Sequence, residues 1–581
     1  MKKILMLMAA LVMTTGARAG DTVSVADCGA VANDKSDATP AVRAALEKCR
    51  ATHASKLVFP AGRYDFWPDL AQEKYGYISN NDEGLKRIAF PLLDIENLEI
   101  DGQGAQFVFH GQICPFVLDH ARNISLKNFS LDWTRTFHSE GQILAVTTNG
   151  VDLEFSEAFP FDTRNGVLRF TDGKPDGAPQ TTVKGTEVEY PYGSLLEFDA
   201  VKRETAFQAH DYWARGGVAV QPLGGRKVRL TMPKLKATPG NILVFGAATR
   251  EFPAFTISDS AGVTLAGVNI FHCGGMGVIA QRSRDLTLDH VQVTPAPGSG
   301  RVVSITADAT HFVNCAGHIT MSHCLFENQK DDATNIHGIY VRVMRRLTSD
   351  TVLVKLVHPQ QAGFDFIQPG MKLECVHGAS VLTFAEAQVK NLERLNKEFS
   401  RVTFAAPLPA ELIEGDALAA ADAYPEVRID HCTIRCNRAR GILLGSRAKM
   451  VIEDNLFHTP GAAILFEGDA RFWYEQAGVR DVTIRRNRFE NCNFGVWGNA
   501  CIQVGSGIAK ECRATSRYNR GIVIEDNLFR GFDPRLLNLY CVDGLIFRNN
   551  KIEKTTDYPV QHADAKAFII ADCDHVSVPA E

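Results

Sequence analysis

Two adjacent aspartates stand where a regular pattern should carry small residues: with Cys324 aligned on Asn455, Asp331 and Asp332 fall on Ala462 and Ala463. Asp331 and Asp332 lie side by side in Glu327-Asn-Gln-Lys-Asp-Asp-Ala-Thr-Asn335, and Asp308 precedes Asp331 by 23 positions. Adjacent carboxylates raise one another's pKa, so one member of such a cluster can hold a proton while another stays ionised. That division is what glycoside hydrolysis requires: an acid for the leaving oxygen and a base for water. If 23 residues make one turn of a coil, Asp308 stands about 4.8 Å from the pair, the spacing of neighbouring strands. A solvated acidic turn is the alternative reading of an Asp-Asp pair.

The elements that would position these groups announce themselves by repetition. Val482-Thr-Ile-Arg-Arg-Asn-Arg-Phe489 returns as Met450-Val-Ile-Glu-Asp-Asn-Leu-Phe457, Ile522-Val-Ile-Glu-Asp-Asn-Leu-Phe529 and Leu545-Ile-Phe-Arg-Asn-Asn-Lys-Ile552. With Cys or Val in the Asn slot it recurs at 263–270, 286–293, 319–326 and 427–434. Several starts are 23 residues apart, and apolar and polar residues alternate within the phrase. That is one strand-bearing unit stacked on copies of itself. Asn suits the tight corner after the strand. Cys324 and Cys432 fall in the Asn slot and read as stacked, buried thiols. The Leu-x-x-Leu-x-Leu frame of a leucine-rich repeat is absent. The expected fold is all-β: a right-handed parallel β-helix, a pectin-lyase-like solenoid, with Ile452, Ile484 and Ile524 in one interior line.

The rhythm stops twice. Residues 134–250 and 339–424 hold alternating strands and turns without the phrase, and read as two inserted antiparallel β-barrel-like domains. The chain then divides into a signal peptide at 1–19, N-terminal coils and cap at 20–133, the first insertion at 134–250, coils with the catalytic site at 251–338, the second insertion at 339–424, and C-terminal coils at 425–581. The spacing predicts a capping helix over about 39–52, with Thr39 as its N-cap and Pro40 in its first turn. Lys2, Lys3, an apolar run over 4–12 and Ala17-Arg18-Ala19 read as a secretory signal, so the expected location is outside the cytoplasm or in the periplasm of a Gram-negative cell. That run is too short to span a membrane. The formal net charge is −5, which excludes a nucleic-acid partner. No Cys-x-x-Cys pair suggests zinc; neither metal nor cofactor is expected, and the oligomeric state is left open.

The carboxylate arrangement resembles that of polygalacturonases, although their downstream His and Arg-x-Lys signatures are not apparent. A wider similarity is carried by Tyr77-Ile-Ser-Asn-Asn-Asp82, Phe271-His-Cys-Gly-Gly-Met-Gly277, Lys330-Asp-Asp-Ala-Thr-Asn-Ile-His-Gly338 and Gly468-Asp-Ala-Arg-Phe-Trp-Tyr-Glu475. On these stretches the chain resembles glycoside hydrolase family 110, the bacterial exo-α-1,3-galactosidases. The resemblance implies inverting release of terminal α-1,3-linked galactose, including from blood-group-B-type glycans. The polygalacturonase arrangement, carried onto this sequence, implies Asp331 as the acid, and Asp308 and Asp332 as the base side. Asn80, Asn81, Asp82, His272, His337, Asp469, Trp473 and Glu475 are candidates for substrate contact; Trp473 offers a ring for the C–H face of a sugar. Crowding is expected to keep Asp331 protonated, with acid and base about 6.5–9.5 Å apart. The rival readings are a polysaccharide lyase, which needs Ca²⁺ and an Arg or Lys base, a polygalacturonase-like hydrolase, and a glycan-binding β-helix without activity.

Overall fold

A computed structural model describes residues 22–81, 84–173, 188–214 and 216–580. The segment assigned to a signal peptide lies outside the described residues, as does Asp82. The repeated phrase folds as a strand, a corner at the residue before the Asn slot and a second short strand. Copies stack in parallel into one 21-stranded sheet. Its ladder runs from Thr22–Ser24 to Asp574–Ser577. A second, 13-stranded sheet closes the other side and is almost wholly parallel.

Stacking brings like residues together. Ile452 pairs with Ile484, and Ile484 with Ile524; all three are fully buried. Phe457, Phe489 and Phe529 stack with ring centroids 5.1 and 4.6 Å apart. The corner residues before the Asn slot, Asp454, Arg486, Asp526 and Asn549, have left-handed backbone. The asparagines inside form a ladder: Nδ2 of Asn455 donates to Oδ1 of Asn487 (2.9 Å), Asn487 to Asn527 (3.0 Å) and Asn527 to Asn550 (2.9 Å). Each Oδ1 also accepts the backbone N–H of the preceding Asn, and each Nδ2 also donates to a strand carbonyl, so these buried amides are satisfied. Cys432 continues the column, its N–H donating to Asn455 Oδ1 (2.8 Å). Cys324 and Cys432 are buried free thiols.

Helix α1 (Thr39–Thr52) is the one α-helix among the described residues. Ala41, Val42, Ala45, Leu46 and Cys49 form its buried face, and Arg50 Nη2 ties it to the Leu93 carbonyl of the first coils (2.9 Å). Thr39 is not the N-cap. Its own N–H is taken by Asp37 Oδ1 (3.0 Å), because Thr39 already lies inside the helix.

The first insertion leaves after Arg122–Trp133 and returns at Phe255–Ser258. Its main body is an eight-stranded antiparallel sheet. The second leaves after Thr334–Ile339 and returns at Glu426–Asp430. It is a closed barrel that includes Val341–Arg346, Thr351–Lys355, Thr383–Arg394 and Phe399–Phe404. The coils that carry the three aspartates therefore lie between the two departures.

Replacing Asn487 by Ala should leave donors and acceptors of two neighbouring coils unpaired in the core. The expected loss is about 2–4 kcal/mol, read as a lower urea midpoint at unchanged slope. A variant as stable as the parent would mean that the ladder is incidental to stability.

Candidate active site

The strand Thr310–Val313 pairs with Thr334–Ile339, Thr310 opposite Thr334. The next coil places Ile442 opposite Thr334, and the one after places Ile464 opposite Ile442. Counting back two positions, one column reads Asp308, Asp332, Arg440, Ala462. The 23-residue spacing had set Asp308 beside Asp331, and a fixed offset from the Asn slot had set Asp331 on Ala462. Both shift by one, because the corners of successive coils differ by a residue in length. The outcome is still a cluster: an oxygen of each of Asp308, Asp331 and Asp332 lies within 4.8 Å of an oxygen of the other two. That is closer than the 6.5–9.5 Å expected of carboxyls on either side of a water.

Each carboxyl has its own partners. Asp331 Oδ2 accepts from Arg250 Nη2 (2.5 Å), and its Oδ1 from Arg438 Nη1 (2.8 Å). Asp332 Oδ1 accepts from the N–H and Nε of Arg440 (3.0 and 3.1 Å), and its Oδ2 from Nη2 (2.8 Å). Asp308 takes no arginine; its Oδ2 lies 2.6 Å from His311 Nδ1. All three aspartates are buried. Burial, with the charge of Asp331, pushes Asp308 up to about 7. Burial also pushes Asp332 up to about 7, with Arg440 opposing and the charges of Asp331 and Asp308 adding to the rise. Asp331 goes the other way: burial would raise it, but Arg438 and Arg250 hold it below the ordinary carboxylate range. The expectation that crowding keeps Asp331 protonated is thus reversed by two guanidinium groups.

His337 donates Nδ1–H to the Gly338 carbonyl (2.7 Å). His311 Nε2 lies 2.9 Å from His337 Nε2 and 3.1 Å from Asn80 Nδ2. Burial pushes His311 down to about 4, which favours a neutral ring beside Asp308.

The other candidates divide. Asn80 is buried, its Nδ2 3.1 Å from His311 Nε2 and 3.3 Å from Glu475 Oε1. Glu475 Oε1 is 3.6 Å from His337 Nε2. Asn80, His311, His337 and Glu475 thus form one wall next to Asp308. Asn81 is buried beside Asn80 in the chain. His272 is different: it is fully buried, Nε2 accepts from the Phe137 N–H (2.9 Å) and Nδ1 donates to the Ser304 carbonyl (2.6 Å). Neither ring nitrogen is left for a sugar. Asp469 is also used internally. Its carboxylate accepts the N–H groups of Arg471, Phe472 and Trp473 and shapes their turn. Trp473 stands at that turn, 43% exposed, 4.8 Å from the His358 ring of the second insertion and 5.0 Å from Phe472.

Sequence reasoning passed over Arg250, His311, Arg438 and Arg440. Arg438-Ala-Arg440 was legible one coil after Asp331-Asp332 in the same register, as an Arg-x-Arg and not the Arg-x-Lys of polygalacturonases. Arg250 gave no sign, since only the return of the first insertion brings it near.

Models of known families match three parts of the chain: GLAA-B beta-barrel domain I over residues 139–243, GLAA-B beta-barrel domain II over 351–418, and a right handed beta helix region over 417–577. A protein of Shewanella woodyi named alpha-1,3-galactosidase A is 39% identical, over 92% of this chain and 86% of its own length. The chain belongs to this family, glycoside hydrolase family 110. A Bacteroides thetaiotaomicron relative named alpha-1,3-galactosidase B is 30% identical over 99% of this chain and 93% of its own. Another alpha-1,3-galactosidase B, from Bacteroides fragilis, is 33% identical over 95% of each. The family 110 chain described here is a glycoside hydrolase.

The triad should titrate as a coupled unit. Carbon-13 NMR of labelled aspartates should show two buried carboxyls changing near pH 7, assigned to Asp308 and Asp332 by substitution, and Asp331 ionised below the ordinary range. Titration of all three below pH 4.5 would overturn this distribution.

Proposed function

We propose that this protein is an exo-acting hydrolase of terminal α-1,3-linked galactose, including the fucose-branched blood-group-B type, and that Asp308, Asp331 and Asp332 do the chemistry. The observation that carries the reading is the triad: three buried carboxyls from two adjacent coils, two near pKa 7 and one ionised. Linkage and sugar come from the names of relatives that align over nearly the whole chain. Asn80, His337 and Glu475 supply polar groups for hydroxyls, and Trp473 an apolar face.

The resemblance gives the acid role to Asp331. In the free site Arg250 and Arg438 keep that carboxylate ionised. A bound glycoside offers both arginines hydroxyl oxygens, and Asp331 then takes up a proton held by Asp308 or Asp332, whose nearest oxygens lie within 4.8 Å. The carboxylate so freed on the base side takes a proton from water as Asp331 gives its own to the leaving oxygen, with inversion. The oxygen cluster also has the form of a cation cage. The arginines at Asp331 and Asp332 oppose that second reading, because they already supply the positive charge. Export from the cytoplasm, read from the first 19 residues, would place the enzyme where such glycans occur.

A panel of α-galactosides tests the activity, with α-1,3-linked galactose expected to be released fastest. Asp308→Asn, Asp331→Asn and Asp332→Asn should each lose about 100-fold or more in kcat. Asp331→Asn should be spared most on an aryl galactoside, whose leaving group needs little protonation. Sparing of Asp308→Asn instead would move the acid role to the Asp308–His311 pair. Proton NMR should show β-galactose first; initial α-galactose would exclude inversion. The rate should fall as pH rises through about 7, where the triad loses its proton. Exhaustive EDTA should leave the rate unchanged, and a loss restored by Ca²⁺ would favour the cation reading.

A further inference from the structure

Arg438 is gripped on two sides by groups from different parts of the fold. Its Nη1 donates to Asp331 Oδ1 (2.8 Å), while Nε and Nη2 close on Asp211 Oδ2 (3.1 and 2.7 Å). Asp211 belongs to the first insertion, just before its strand Tyr212–Trp213. All three side chains are largely buried, with 12, 20 and 10% exposure for Asp211, Arg438 and Asp331. The flat face of Arg438 lies 5.4 Å from the Trp497 ring centre, which limits its tilt.

Further contacts fasten the same region of the insertion to the coil. Thr205 Oγ1 donates to the Asn437 carbonyl (2.8 Å), and Asn437 Nδ2 donates to the backbone carbonyls of Asp331 (3.0 Å) and Arg440 (2.6 Å). A methyl group at Gly246, on the returning strand of the insertion, would collide with Lys330 Nζ at 2.2 Å. The other guanidinium on Asp331, that of Arg250, follows the last strand of the same insertion, Ile242–Ala247, by a few residues. Both oxygens of Asp331 are therefore held by cations whose placement depends on the first inserted domain.

We propose that this domain is a working wall of the active centre, and that Asp211 is a positioning residue acting on Asp331 through Arg438. The inference rests on the catalytic reading of Asp331. A two-point grip on Nε and Nη2 fixes the plane of the guanidinium and so the direction of Nη1. Without it, Arg438 keeps its charge but not its aim. Geometry at a reacting group governs kcat more than substrate affinity.

The test uses the full-length enzyme and a natural α-1,3-galactoside. Asp211→Asn should lower kcat about 10-fold or more with KM within about threefold. Asp211→Glu, which keeps the carboxylate, should recover part of the loss. In an Asp331→Asn background, Asp211→Asn should change kcat by less than about twofold, since residues acting through one another are not additive. If Asp211→Asn does not fold, Arg438→Lys takes its place, keeping the charge and losing the fork, with a fall in kcat and the same non-additivity in the Asp331→Asn background expected. A rise in KM at unchanged kcat would make Asp211 a substrate contact and overturn the proposal. So would full activity of Asp211→Asn, or independent effects in the double variant. Near-normal turnover by Asp331→Asn alone would instead refute the catalytic reading beneath it.

Discussion

Parallel register between successive coils is the constraint on which the rest of this molecule depends. Each coil lays its residues over those of the last at strand spacing, so every position becomes a column. For apolar residues the column is self-supporting: isoleucine on isoleucine, phenylalanine on phenylalanine. For amides it is self-satisfying, because one Asn both donates and accepts. For charges the same rule is hostile, since a repeated carboxylate meets its own kind. Asp308 over Asp332 is such a collision, and the column resolves it one coil later with Arg440.

The candidate site can be understood as that collision partly relieved. Three buried carboxyls face three guanidinium groups, yet the pairing is uneven. Asp331 has two arginines, Asp332 has one, and Asp308 has a neutral imidazole. Uneven compensation separates the pKa values of chemically identical groups. The β-helix provides the stacking that crowds the acids, and the first insertion provides the asymmetry that tells them apart.

The sequence showed the columns but not what hangs between them. The repeated phrase, the Asn slot and the three aspartates were readable because each follows a period, and both insertions because they interrupt it. The one-residue error in register arose where corners vary in length, which periodicity does not see. Arg438 and Arg440 were readable in principle, lying in the column of the acids one turn on. His272 and Asp469 misled because a conspicuous motif says nothing about whether its polar atoms are already taken. Arg250 and Asp211 lay beyond reach: they arrive from an inserted domain whose approach to the coil is a matter of tertiary packing.

The column of Asp308, Asp332 and Arg440 also spreads the site over time. The chain places the two acids more than a hundred residues before their arginine, with an entire closed barrel between them. Until that barrel is complete and the next coil winds on, the coils ending at Thr334–Ile339 hold buried negative charge without Arg438 or Arg440 opposite. Such a coil resists closing, because an unpaired buried charge costs several kcal/mol. The later coils, with amides and phenylalanines already matched, carry no such debt. A solenoid is free to nucleate at any of its repeats. Here the coils of the aspartates find Arg438 and Arg440 only beyond the barrel, whereas the C-terminal coils match their amides and rings coil by coil.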